Sequence, residues 1–445
     1  MAGVADDRGS PEEPELGWPR PVFVLLARLR PPGPLFRSEL WRSPLRGPWL
    51  TSVFGLVLLV GLPVVIITGL LSYVAYQPQL GGAVPGDVHG LRLPYFVWPT
   101  HPSWLYRLSQ GLHVGLGLAL VPVVLAKLWS VIPKLFAWPA ARSIAQLVER
   151  LSLALLVGGI LFELATGLLN IQYDYVFGFD FYTAHYYGAW VFIAAFVVHV
   201  GIKAPIMLRS LRGRSMRAEL RTPLAQTRPE PPDEHALVSV DPAPPTISRR
   251  GALALVGGAS LTVVAVTVGE TVETLRPTAL LAARGRTYGT GPTHFQVNRT
   301  ARIAGISAQD TGAAWRLTLV GQQTVRLSRA QLLAMPQHTA ELPIACVEGW
   351  STVQTWTGVR LRDLVALTGQ GRIESGQVRS LEKHGAFNRA VLNQGQLIDP
   401  DSLLALKVNG VDLSVDHGYP ARVIVPALPG VHNTKWVSRI ELRQA

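Results

Sequence analysis

A single cysteine, Cys346, stands in the 445 residues. One cysteine cannot close an internal disulfide, and in general an isolated one is a small buried hydrophobe. Here a short β-prone run, Leu342 to Ala345, ends at the thiol, and the turn Glu348-Gly349-Trp350-Ser351 follows. The sulfur is therefore expected at a strand end, where a metal or substrate can approach, and a thiolate is a soft ligand suited to a redox metal. Glu348 is near enough in sequence to relay protons, or equally to serve as a structural hydrogen-bond acceptor. Further on, His417 and Arg422 flank a Gly-Tyr-Pro turn and Lys435 opens a second strand. An anion bearing a phosphate would satisfy that cluster of cations and donors; charges scattered over strand ends are the alternative.

A second set of candidate ligands, His113, His185 and His199, lies in long apolar runs. Imidazole ligates haem iron axially, and an apolar helix bundle keeps the macrocycle dry. His185 and His199 are 14 residues apart, which returns the side chain to within about 40° of the same face and about 21 Å along the axis. Such spacing separates two stacked sites. An intramembrane histidine can instead be a packing residue, but ionisable groups inside a bilayer are expensive and usually functional. His113 and His185 both fall near the outer end of their helices, so they are the first choice for a haem b site, with His199 as alternative partner or unused. The first helix contains no histidine for an inner site. His89 and His101, in the outer loop, could join a site near the surface.

The elements that must position these residues divide the chain. It is 48% hydrophobic yet carries a net charge of +12, a conflict for a soluble protein that resolves for a membrane protein with arginine-loaded cytoplasmic loops. The charges lie between apolar runs rather than on one compact domain, which argues against nucleic acid as a partner. Residues 1–50, rich in Pro and Arg, read as a disordered cytoplasmic N-terminus with no cleavable signal. Residues 51–210 read as a four-helix membrane unit, with spans at about 51–76, 104–132, 147–171 and 185–208. Residues 211–247 read as a flexible cytoplasmic linker, and 248–275 as a fifth span. Basic residues crowd residues 1–50, the second-to-third connection and the stretch from Lys203 to Arg250, while the intervening loops hold only Arg92. The positive-inside rule then keeps the N-terminus in the cytoplasm and puts residues 276–445 outside. That last part alternates short β-prone runs (315–320, 404–408, 421–425, 436–442) with turn residues, and reads as a mainly β, mixed α+β domain.

Two resemblances sharpen this. The Cys346-Val347-Glu348 segment resembles the molybdenum-ligand loop of the sulfite-oxidase-fold molybdopterin enzymes, and looks closest to their periplasmic methionine-sulfoxide-reductase branch. The stretches 416–426 and 429–437 resemble the pterin-binding part of that fold. The resemblance implies that Cys346 binds molybdenum and that His417, Arg422 and Lys435, with Asn433 and Thr434 beside them, hold the molybdopterin. Phe295, Gln296, Asn298 and Ser380 would line the cofactor. Where sulfite-oxidising members follow the cysteine with arginines, this chain has Gly349-Trp350-Ser351, a departure that favours an uncharged oxo-group substrate. The unit from Trp104 to Leu208 is similar to the cytochrome b561-like bundles, through Gln110-Gly111-Leu112-His113 and His185-Tyr186-Tyr187-Gly188-Ala189-Trp190. Lastly, Ser248-Arg249-Arg250 running into an apolar span resembles a twin-arginine export signal, although Ala252 stands where an aromatic is usual and the pair could simply anchor the helix.

The expectation is a multi-pass oxidoreductase of a bacterial cytoplasmic membrane, its outer molybdopterin domain exchanging oxygen with a small-molecule or protein substrate. A haem b would connect it to quinone or quinol, and the twin-arginine machinery would export the domain. A non-catalytic receptor or assembly factor is the reading from another class, and a haem-only transmembrane reductase is a second enzyme reading.

Overall fold

The computed structural model describes residues 41–76, 96–136, 144–170, 181–232, 237–369, 371–383 and 388–444. Five helices in it are long and apolar enough to cross a membrane: α1 Pro48–Tyr76, α2 Leu105–Leu135, α3 Ile144–Leu169, α4 Phe181–Arg212 and α5 Arg249–Thr267. Inside these apolar runs the hydroxyls of Thr68, Thr166 and Thr267 donate to carbonyls four residues back, which satisfies a polar group where no water competes. Helix α1 packs on α2 and α4, α3 on α4, and α5 on α2.

Residues 41–50 and 211–247 depart from expectation. Most of the N-terminal segment read as disordered, with His89, lies outside the described residues. Its last ten residues are ordered by packing: the Arg46 guanidinium sits over the rings of Trp41 (5.2 Å) and Trp129 (4.7 Å). The stretch read as a flexible linker holds a helical turn, Met216–Arg221, and packs on the start of α1. Trp49 Nε1 donates to Arg214 O (3.2 Å), and Trp49 N donates to Glu230 Oε2 (3.0 Å). Proline content alone suggested slack; these long-range contacts override it.

Beyond α5 the chain forms two sheets. One has strand order β2-β1-β10-β5-β6, from β1 Arg316–Val320, β2 Thr324–Ser328, β5 Ile373–Ser380, β6 Arg389–Asn393 and β10 Val437–Gln444, with β1 and β10 parallel. The other runs β3-β4-β7-β8, from β3 His338–Ala345, β4 Ser351–Arg360, β7 Leu403–Val408 and β8 Val411–Asp412, with β9 Arg422–Ile424 paired to β7. Strands β3 and β4 pair from His338↔Gly358 down to Ala345↔Ser351, so Cys346 opens the loop that closes this hairpin. Cys346 N donates to Trp350 O (2.9 Å) and Gly349 N to Cys346 O (3.1 Å).

That loop is seated on α2 and on the segment after α5. Arg107, Gln110 and Val114 lie on one face of α2 by their i, i+3, i+7 spacing. Gln110 Nε2 donates to Val347 O (2.8 Å) and Arg107 Nε to Ser351 Oγ (3.0 Å). A Cβ on Gly349, whose φ is +97°, would come within 2.7 Å of Val114 Cγ1. From the end of α5, Thr271 Oγ1 donates to Gly349 O (2.9 Å). Trp98 Nε1 donates to Ala427 O (2.8 Å), and the Tyr76 ring meets His432 edge-on at 5.5 Å.

Candidate functional site

Around Cys346 four segments close on one cavity. Its lining includes Phe295, Gln296, Val297 and Asn298, then Ile344, Cys346, Trp350 and Thr352, then His417 and Arg422, and finally Gly430 and Lys435. Seven residues expected at the site are thereby brought together: Cys346, Phe295, Gln296, Asn298, His417, Arg422 and Lys435. The imidazole of His417 stacks on Phe295 (3.7 Å between centroids), and its Nε2 donates to Thr293 O (2.8 Å). Burial, with Arg422 nearby, pushes His417 down to about 3, so the ring is neutral.

Arg422 is buried and donates to Asn433 O and His417 O. Lys435 donates to Arg299 O and Asp416 O. Neither cation is ion-paired among the described residues, and burial lowers Arg422 to about 9 and Lys435 well below its ordinary value. Carbonyls and the rings of Trp356 and Trp436 face the two cations, and Asp416 and Glu382 act on Lys435 without an ion pair, so the buried charges remain short of directly paired negative charge. Gln296 Oε1, an acceptor, is also buried without a partner among the described residues, so it would meet a donor of a bound ligand rather than its anionic part. This donor set fits an anionic ligand bearing a phosphate. The Cys346 thiol is buried at the same cavity and raised by that burial and by the Glu348 carboxylate, an environment where a bound cation would be needed to hold the thiolate.

Four expected residues do not line the cavity. Glu348 ion-pairs with Arg284 (Arg284 Nε to Oε2 2.8 Å), accepts from Trp350 Nε1 (2.7 Å), and its carboxylate is hydrogen-bonded to the Cys346 side chain. Burial raises its carboxyl while Arg284 opposes the shift. These contacts brace the Cys346 loop and also hold the carboxylate at the thiol, a placement compatible with both expected roles, structural acceptor and proton relay. Ser380 Oγ donates to Lys435 O (2.8 Å), Asn433 Oδ1 accepts from Val425 N (2.9 Å), and Thr434 O accepts from Val423 N (2.9 Å). All three set the backbone that carries Arg422 and Lys435. Sequence reasoning missed Arg284, which lies 64 residues from its partner with no local signal, and the wall residues Ile344, Trp350, Thr352 and Gly430.

Between α1, α2, α3 and α4 the structure pairs His113 with His185: their ring centroids are 6.1 Å apart and their planes nearly perpendicular (89°). His113 Nδ1 donates to Val65 O (2.9 Å), and His185 Nδ1 lies 3.0 Å from Thr166 Oγ1 and 3.1 Å from Glu163 Oε2. Each Nδ1 is thus engaged, and each Nε2 is the nitrogen available to a metal. The two imidazoles could together hold a haem iron, which would supply single-electron transfer there. A Cβ on Gly69 would stand 2.8 Å from His113 Cε1, so glycine is what lets the ring lie against α1. His199 is not part of this pair. It lines a separate cavity with Lys127, Lys134, Glu149 and Lys203, in the other half of the bundle. Glu163, an acid inside an apolar run, was the signal that could have found the His185 partner.

The family model described as an oxidoreductase molybdopterin binding domain matches residues 304–445. Mitochondrial sulfite oxidase of Rattus norvegicus is 29% identical over 163 residues, 29% of this chain and 29% of that protein. The "uncharacterized oxidoreductase YuiH" of Bacillus subtilis (strain 168) is 31% identical over 130 residues, 28% of this chain and 64% of that protein. The sulfane dehydrogenase SoxCD structure from Paracoccus pantotrophus aligns over 30% of this chain and 39% of that one at 23% identity, with a TM-score of 0.28. The chain thus spans under a third of the sulfite oxidase it matches, and the match excludes all five long helices. Residues 304–445 thus match the oxidoreductase molybdopterin binding domain, and the chain is similar over part of its length to the sulfite oxidases.

Proposed function

We propose that the chain is a membrane-bound molybdopterin oxidoreductase carrying its own haem b. Cys346 would ligate molybdenum, with Arg422, Lys435 and His417 directed at the pterin and its phosphate, and His113 and His185 would hold haem iron. Bound there, molybdenum supplies two-electron oxygen-atom exchange, and haem supplies single-electron relay to or from a membrane quinone. The observation that carries the coupling is the joint: the loop following Cys346 is hydrogen-bonded to Gln110, and His113 lies one turn further along the same helix. Ligand loop and haem helix would then share one contact.

The substrate proposed is a neutral oxo group such as a sulfoxide or N-oxide. Relatives are named for sulfite and nitrate, both anions. In this chain the cations lining the cavity are the ones assigned to the pterin, and the residues directly after Cys346, Val347 to Ser351, include no arginine. By the positive-inside argument the N-terminus lies in the cytoplasm of a bacterium and the catalytic domain outside, delivered there by the twin-arginine machinery. Metal analysis of purified protein, joined to a substrate screen that follows haem absorbance in membranes, tests the reading. One molybdenum per chain and a b-type spectrum that responds to an added sulfoxide are expected. A protein free of molybdenum would instead be the receptor or assembly factor.

A further inference from the structure

We propose a divalent transition-metal site where the outer segment before α2 meets the catalytic domain, built by His101, Asp399 and Asp401. One ligand atom from each lies within 4.8 Å of the other two. His101 Nε2 is 3.0 Å from Asp399 Oδ2, a separation natural for two ligands of one small cation. The Asp399 carboxylate is buried and fixed by accepting from Asp401 N (2.8 Å) through its other oxygen.

Asp401 is oriented as well. Its Oδ1 is 2.8 Å from His338 Nε2, and Arg360 NH2 donates to His338 Nδ1 (2.8 Å). Since Nδ1 accepts from arginine, the proton of His338 sits on Nε2, and the ring donates to the carboxylate. A histidine used in this way orients a ligand without being one. Two carboxylates from the turn Asp399-Pro400-Asp401 therefore converge on a single imidazole, and the nearby guanidinium is occupied by His338 and Pro400 O.

The donor set chooses the ion. One imidazole and two carboxylates suit a zinc-class divalent cation, with water completing the shell, whereas calcium would seek six to eight oxygens. Bonds of about 2.0–2.2 Å require the third ligand to close in, and the Asp401 carboxylate, only partly buried, is the one able to do so. The His101 side chain is 55% exposed, which leaves the ion an entry. Trp98 and His101 are then two fastenings of the same short segment, and α2, with Arg107, Gln110 and His113, begins at Leu105 just after it. A bound cation would stiffen the entry of that helix. None of this depends on what occupies the Cys346 cavity.

The test is titration of chelator-stripped full-length protein in detergent with Zn2+ alone, followed by calorimetry, with Co2+ absorption as a second reporter of coordination. Wild type should show one site that His101→Ala and Asp401→Asn each weaken at least tenfold, and that Cys346→Ser leaves intact. His338→Ala should weaken it about tenfold through lost orientation. Because His101 is exposed, His101→Ala should keep the wild-type thermal transition, so its result decides the matter even if Asp401→Asn perturbs folding. Equal Zn2+ affinity in wild type and His101→Ala, or no wild-type binding tighter than about 100 μM, overturns the proposal.

Discussion

The Cys346 cavity and the His113–His185 pair are built by opposite means. The cavity draws its walls from four segments spread between Phe295 and Lys435, and Ser380 and Asn433 set the backbone behind two of its cations. The histidine pair lies on two helices, with His113 held by Val65 O and His185 by Thr166 and Glu163 from two neighbouring helices. In the first, geometry resides in the long-range fold and cations are left short of counter-charge; in the second, it resides in helical periodicity. Loss of a cavity residue should remove a ligand without moving the walls, while loss of a histidine should leave helices that still pack.

The sharpest way to break this contrast is Cys346→Ser. With its soft ligand gone, the domain should lose at least about 100-fold in metal retention or turnover while keeping its thermal transition, read by molybdenum analysis beside a melting curve. Full turnover by this variant would remove the assignment of the cavity. On the helix side, His113→Ala or His185→Ala should abolish the reduced b-type absorption with the chain still inserted. A spectrum unchanged in both would show that the pair is packing, and a stoichiometry near two haems would point to His199 and its separate cavity.

The joint offers a subtler break. Gly349→Ala forces an L residue to φ +97° and drives a Cβ against Val114, which should cost about 1–3 kcal/mol. It should slow haem oxidation by substrate more than it alters either cofactor's content. Equal slowing in a variant far from the joint would deny it a special role.

Arg249 separates anchoring from export. It is 2% exposed, ion-paired with Glu219 (3.3 Å), and donates to Arg228 O (2.8 Å), whereas Arg250 is exposed. Arg249→Lys should therefore destabilise by about 1–3 kcal/mol through lost donors, and Arg250→Lys should not. If the pair is an export signal, Arg250→Lys should still reduce the share of residues 276–445 reached by external protease in intact cells. An undiminished share would leave the arginines as anchors.

Much of this was legible in the sequence for a physical reason. Apolar runs long enough to span a bilayer are continuous, so five of them stand out. Cys346, His417, Arg422 and Lys435 sit in short motifs whose spacing is local. What stayed hidden was whatever depends on distant partners: the pairing of Glu348 with Arg284, the seat of the Cys346 loop on Gln110, and the packing of 211–247 against Trp49. His101 was visible as an outer-loop histidine, but Asp399 and Asp401 join it only through the fold.

The smallest effect expected concerns His432, which belongs to neither centre but lies between them. It is 0% exposed, neither ring nitrogen has a hydrogen-bond partner among the described residues, and burial pushes it down to about 3. An unfolded histidine titrates near 6.5, so the folded protein keeps the ring neutral while the unfolded chain takes up a proton as pH falls. The contribution of this group is fully present above about 6.5 and is lost as pH falls from there towards about 3, with a slope of at most about 1.4 kcal/mol per pH unit. His417, also lowered to about 3, adds to the slope, but a bound anionic cofactor would reduce its share by favouring the charged ring. His432→Phe keeps an aromatic ring against Tyr76 and removes the titration. Between about pH 6.5 and pH 4.5, its thermal midpoint should fall less steeply than that of wild type while the two stay close at pH 8. Parallel slopes would mean that the ring is hydrated in solution and that the acid sensitivity of this joint comes from another group.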